Sequence, residues 1–328
     1  MKTQKPSELH IGESVLQTPV FFPSISTIKT NLRPVEYLEI LNTLSTTNKH
    51  FLISAYDISY SSDKELCEIR NALQSSADKG LTILLDSGNY ESYWKQTQDQ
   101  WTQERFHEVL AMRHQSFSFC FDEQAPPNNL DEHIKIVIEG FEKDQGNSDK
   151  PIIPIIHDTP EKLPEMCAAI AKHLGVNFIS IPERRLGDGV FSRALTLRKI
   201  RQSLNDLGRY VGIHLLGTGN PMSIAIYSIE GADSFDGLEW CQTVIDHDTG
   251  FLFHSTQYDF FSDQTTWNEL EIPFQAKMLA HNIEFYSFWM RRLQTAMTEN
   301  NEISFCNTNF HPKFFNMCCS ALGWELKE

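Results

Sequence analysis

The sequence predicts an α/β fold, a (β/α)8 TIM barrel with a C-terminal helical extension, and three observations carry that prediction. Eight short apolar runs recur about 20–35 residues apart. They are continuously apolar rather than alternating, as strands of a parallel sheet covered on both faces are, and helix-compatible stretches separate several of them. Six of the runs place an acid, a histidine or a glycine at or just past the C-terminal end of the strand. An open doubly wound sheet is the competing arrangement, because spacing by itself does not prove closure.

In chain order the candidate strands are PVFFPSI (19–25), FLISAY (51–56), LTILLD (81–86), SFSFCFD (116–122), PIIPIIHD (151–158), NFISIPE (177–183), YVGIHLLG (210–217) and SFDGLEW (234–240). The clearest helices are EKLPEMCAAIAKHLG (161–175) and ALTLRKIRQSLNDLG (194–208), each apolar on one face and ending at glycine. A long helix, AKMLAHNIEFYSFWMRRLQTAMTEN (276–300), completes the pattern. Glu142–Lys150, EKDQGNSDK, is expected to be a surface loop, and no linker divides the chain. One domain is therefore expected over 1–328, with the barrel at about 15–250 and a helical region at about 251–328.

A length of 328 residues, 41% of them hydrophobic and 22% charged, fits a globular protein with a sizeable core. The formal net charge is −15, which argues against an extended phosphate-gripping surface. The N-terminal stretch has no apolar core of signal-peptide length and no run of 18 apolar residues occurs, so a cytoplasmic, non-membrane protein is expected. Seven cysteines occur without a CxxC pair, and Cys318–Cys319 is expected to be a pair of buried thiols.

In a barrel the C-terminal ends of the strands carry the site. Asp86, Asp122, His157, Glu183, Gly217 and Asp236 all fall there. Any one of them could be turn or cap chemistry. Together they point to carboxylate chemistry: one acid attacks an anomeric carbon, another moves protons, and a third accepts two parallel N–H bonds from a planar base. Metal chemistry fits less well, since His157-Asp158 and His247-Asp248 lack further ligands at useful spacing. GTGNP (217–221) matches neither a dinucleotide fingerprint nor a P-loop, and GxSxG is absent. An unrelated barrel enzyme such as a glycosidase remains an alternative.

Six blocks in order carry a family resemblance. LDSGNYE resembles the DSGGFQ or DSGGYQ block of the tRNA-guanine transglycosylases, SFCFDE their FDE block, HLLGTGNP their LMGVGTP, and GADSFDG their GVDMFDC. TPVFFPSISTIKT resembles their opening TPVFMPVGT, and AHNIEFYSFWMRRLQTAM their late HNL-containing helix. The resemblance implies the (β/α)8 barrel and a base exchange, in which guanine is displaced through a covalent ribosyl-enzyme intermediate and a 7-deazaguanine takes its place. It implies Asp236 as nucleophile and Asp86 as proton shuttle, with Asp122 on the N1/N2 edge of the base. Tyr90 and Leu216 would sandwich the ring, Gly217 would allow close backbone approach, and Ser87 and Gly88 complete the DSG turn.

Four departures qualify what the resemblance implies. Asn89 replaces the second glycine of DSGG, where it would keep a left-handed turn. His157 replaces the glutamine that reads the base carbonyl; it either donates one hydrogen bond to a related base or is satisfied in the core. The basic positions after FDC are missing, and FDGLEWCQTVIDHDTG carries acids instead. The zinc set CxCxxC is absent ahead of His281, so no metal cofactor is expected and His281 is expected to pack or cap. The target is therefore expected to be a nucleic acid other than standard tRNA, with DNA a candidate, since paralogues of the family act on DNA. The alternative is a former transglycosylase, as in anti-phage defence, that binds a deazapurine or a nucleobase-bearing partner protein. A homodimer is a further expectation from the resemblance.

Overall fold

The computed structural model describes residues 5–28, 30–95, 100–122 and 127–326. The chain enters through a hairpin, β1 (Glu8–Ile11) and β2 (Ser14–Gln17). Eight parallel strands follow: β3 (Val20–Ile25), β4 (His50–Ser54), β5 (Thr82–Asp86), β6 (Phe117–Phe119), β7 (Ile152–Ile153), β8 (Phe178–Pro182), β9 (Gly212–Leu216) and β10 (Ser234–Gly237). They neighbour one another in chain order, and β10 returns to pair with β3. The last gap, between β7 and β8, is bridged at Ile155 and Ser180: Ser180 N donates to Pro154 O at 2.9 Å and Ile156 N to Ser180 O at 2.9 Å. The sheet is thus a (β/α)8 barrel, not an open one.

All eight expected strands are present, most of them shorter than their apolar runs. Pro154 has no N–H to give the ladder, which reduces the fifth run to a two-residue strand and a bridge. Ala55–Tyr56 already belong to a helix, and SFDGLEW leaves the sheet after Gly237. Apolarity marks burial, and residues just past a strand end are as buried as the strand itself. Aromatic rings fill the barrel interior, Phe22 packing on His50 and Phe117, and Phe119 on His214 at 4.8 Å.

The covering helices are α1 (Pro34–Thr43), α2 (Ala55–Ser59), α3 (Asp63–Asp78), α4 (Asn89–Lys95), α5 (Gln103–Leu110), α6 (Leu130–Gln145), α7 (Leu163–Leu174), α8 (Val190–Asn205) and α9 (Pro221–Glu230). The two helices singled out from the sequence are α7, closed by Gly175 at φ 67°, and α8. Glu142–Gln145 is helical, contrary to the expected loop, which begins only at Gly146. The cause is tertiary. Asp144, fully buried, accepts from Phe121 N (2.6 Å) and Gln103 Nε2 (2.7 Å) and pairs with His107, and these bonds hold the last turn of α6 against the barrel.

Beyond the barrel come α10 (Glu239–Gln242), a second hairpin of β11 (Thr243–Ile245) and β12 (Leu252–His254), and three helices, α11 (Phe274–Thr298), α12 (Glu302–Asn309) and α13 (Pro312–Leu322). Asn282 of α11 docks the extension: its Nδ2 donates to Trp240 O and Thr243 O, and its Oδ1 accepts from Ile245 N. Cys318 is buried and Cys319 partly so, and all seven thiols are unpaired. Among the described residues no helix is long and apolar enough to cross a membrane.

Candidate functional site

At the C-terminal ends of the barrel strands lies a cavity of about 390 Å³. Asp86, Ser87, Tyr90, Asp122, His157, Leu216, Gly217 and Asp236 all line it, so distant sequence blocks meet at one place. Gly88 stands behind it. Its backbone is left-handed (φ 82°), a Cβ there would lie 2.6 Å from Tyr56 N, and its own N–H donates to Asp86 Oδ2 at 3.0 Å. Glu123 of the FDE block lies outside the described residues.

Asp236 ends β10, between β3 and β9, and its neighbours there hold it. Ser24 Oγ donates to Oδ2 (2.8 Å), while Gly217 N (3.0 Å) and His214 Nε2 (3.1 Å) donate to Oδ1. His214 Nδ1 meets Ser234 Oγ at 2.7 Å, a pairing that suits the tautomer with its proton on Nε2, facing the carboxylate. Gly217 reaches the carboxylate from a left-handed turn (φ 75°) that favours glycine. Three donors thus fix the orientation of this carboxyl.

Asp86, at the end of β5 and partly exposed to the cavity, is the opposite case. Burial raises its pKa well above the usual carboxylate range, the neighbouring Glu91 raises it further, and Asp122 and Asp236 add to the effect against the single Gly88 amide. Glu91 is itself pushed up to about 7 by burial and by Asp57, with the Ser26 hydroxyl partly offsetting. Glu239 is likewise raised to about 7, chiefly by burial, and packs so closely on Gly219 and Gly237 that a Cβ at either would overlap its carboxyl.

Asp122 is clamped. Ser87 Oγ (3.0 Å) and Asn89 Nδ2 (2.8 Å) donate to Oδ1, and His157 Nε2 meets Oδ2 at 2.6 Å. Burial opposes its ionisation, but the His157 contact and the other donors outweigh burial and hold its pKa below the ordinary value. Asn89 departs from its expectation, and of the two readings of His157 the satisfied one holds. Asn89 is not in a left-handed turn; it opens α4 and spends its amide on Asp122, whose backbone carbonyl it also reaches at 2.9 Å. His157 has partners on both ring nitrogens, Nδ1 facing Arg185 Nε at 3.4 Å, so it orients Asp122. At least three of the four lone-pair positions of Asp122 thereby have protein partners, which leaves less capacity for a bidentate contact than the sequence suggested.

The walls are Tyr90, 39% exposed at the mouth, and Leu216. GTGNP is helix-starting chemistry: Asn220 Oδ1 accepts from Met222 N and Ser223 N, and Pro221 opens α9. The sequence reading missed Glu91, Glu239, Ser24 and His214. The first two stand within the quoted blocks, five residues after Asp86 and three after Asp236, and were legible as acids. Ser24 and His214 sit inside apolar strands and gave no signal.

Among the described residues six carboxyl groups line the cavity, those of Asp86, Glu91, Asp122, Glu183, Asp236 and Glu239, with Arg184 the cationic side chain among them. No group of three or more potential ligands is placed to hold a metal ion among the described residues. The surroundings of His281 do not fit zinc. Its Nε2 meets Ile245 O at 2.7 Å, and the rings of His247 and Tyr258 pack on it. His247 in turn bonds His281 O, and Asp158 bonds His133 Nδ1.

Fold and site together define a (β/α)8 barrel with an acid-lined cavity at the C-terminal ends of its strands. Comparison with protein-family models and with curated proteins gave no significant match.

Proposed function

We propose that the protein is a transglycosylase-like enzyme that exchanges guanine or a 7-deazaguanine at a nucleoside through a covalent Asp236–ribosyl intermediate. The observation that carries this reading is the division of labour between two carboxyls of one cavity: Asp236 has three donors, whereas Asp86 is surrounded by burial and negative charge. A nucleophile must be ionised and a proton carrier must hold its proton near neutral pH. In the first half, an Asp236 oxygen bonds C1′ as the C1′–base bond breaks, and the leaving base takes the Asp86 proton on its ring nitrogen. In the second, the incoming base loses its ring N–H proton to Asp86 and bonds C1′ as the Asp236 ester opens. Protons and bonds balance over the cycle. Tyr90 and Leu216 supply apolar walls for a flat ring.

The cavity lining bears on the target. A lining rich in carboxyls disfavours phosphate, so the base and sugar of an extruded nucleotide would enter while the backbone stays outside. The acids after SFDG stand where the resemblance places basic residues for tRNA and so count against standard tRNA, while the net charge of −15 counts against an extended contact with any nucleic acid. The alternative is a binding-only protein, in anti-phage defence for example, and the partial saturation of Asp122 by Ser87, Asn89 and His157 limits its reading of a base under either proposal.

The test is incorporation of labelled guanine into DNA or tRNA by the full chain. Asp236→Ala is expected to abolish exchange and Asp86→Asn to lower it at least about 100-fold. Binding of guanine or a deazapurine with no exchange into either polymer would favour the binding reading.

A further inference from the structure

Base exchange through Asp236 and Asp86 gives no task to Glu91, one of the further carboxyls of the cavity. Glu91 sits in the first turn of α4, five residues past Asp86, and is 3% exposed. Its Oε1 accepts from Ser26 Oγ at 2.6 Å. That hydroxyl oxygen accepts from Ile28 N at 3.1 Å, so its proton is committed to Glu91 and the carboxyl is fixed in orientation. Its Oε2 is buried and makes no hydrogen bond among the described residues, and the Ser54 hydroxyl, likewise without one, stands near the carboxyl and favours its ionised form. A buried, unpartnered oxygen of a charged group costs free energy unless a proton or a ligand satisfies it. Glu91 and Asp86 line the same cavity.

We propose that Glu91 and Asp86 form a carboxyl pair that shares one proton, and that Glu91 Oε2 is the atom through which the pair is completed, by that proton or by the bound ligand. Two close carboxyls do not both ionise readily, so one of them holds a proton that a lone acid would have released. The charges facing the pair agree. Asp57 of α2 lies behind Glu91, its own charge partly matched by Lys95 at 3.3 Å and by Thr27 N at 2.7 Å; Asp122 and Asp236 face Asp86 across the cavity, and Arg184 stands by Tyr90. Burial and the neighbouring charge raise both members of the pair. The inference deepens the proposed function, because Glu91 would keep the Asp86 proton in place until a base takes it.

The test needs no activity. Carboxyl-labelled full-length protein is titrated by NMR without ligand, as wild type, Glu91→Gln and Asp86→Asn. Glutamine keeps the Ser26 contact and removes the acid. The expected result is that Asp86 titrates at least about one pH unit lower in Glu91→Gln, and that Glu91 titrates lower in Asp86→Asn. If each acid titrates unchanged when the other is neutralised, the pair does not exist and the proposal fails, whatever the exchange assay shows. Should one variant fail to fold, the reciprocal variant decides. If the titrations shift but no base is exchanged, the pair stands and the transglycosylase reading falls. Where exchange does occur, the upper limb of its pH profile is expected to move down by the same interval in Glu91→Gln.

Discussion

Asn89 shows how a single residue can keep its place in a motif and change its task. At that position its amide is one of three donors to the buried Asp122 carboxylate, with Ser87 and His157. The hydrogen bonds hold the folded-state pKa of Asp122 below its unfolded value. The stability this contributes is present above the unfolded pKa and is lost as pH falls through the folded one. Asn89→Ala is therefore expected to destabilise by about 1–2 kcal/mol at pH 7 and by less in acid, read from urea denaturation at both pH values. That Asp86, Asp122 and Asp236 share one rim was legible from their positions at the ends of apolar runs. That one is clamped, one partly exposed and one triply bonded was not, because the donors arrive from residues up to 212 positions away.

Elements were legible where burial follows the chain and obscure where it follows a neighbour. Most barrel strands are largely apolar runs, yet the turn after the third of them depends on a backbone detail. Between β5 and α4 the chain must fold back beneath Tyr56, and Gly88 does this at φ 82° with no Cβ to obstruct it. Gly88→Ala is expected to cost at least about 1–2 kcal/mol from the left-handed conformation alone, with the Tyr56 contact adding to it. A fall in the denaturation midpoint, together with loss of the Asp86–Gly88 geometry in a structure of the variant, would show both effects. The end of α6 is the converse. Its sequence, EKDQ, looks like loop, and only the bonds of Asp144 to Phe121 and Gln103 make it helix.

At the scale of the whole molecule the extension and barrel are joined by buried polar residues that composition does not reveal. His281 and Asn282 of α11 bond the backbone of the segment that leaves β10. His281 is 0% exposed, and burial, with His247 beside it, lowers its pKa to about 4. The unfolded chain binds this proton near pH 6.5 and the folded chain does not, so stability is lost as pH falls from 6.5 toward 4. The loss is up to about 3 kcal/mol, and His281→Gln is expected to flatten that limb in denaturation measured across the interval. An acid limb unchanged in the variant would place its origin in other groups.

The sequence by itself determined the strand count, the parallel α/β class and the identity of the acids at the strand ends. Each of these follows from local apolarity and from where it stops. Tertiary structure alone decided closure, which rests on the bridge between Ile155 and Ser180, and the protonation tendencies of the carboxyls. The reason is that a pKa is set by desolvation and by partners across the barrel, and neither is a property of the residue or of its neighbours in the chain.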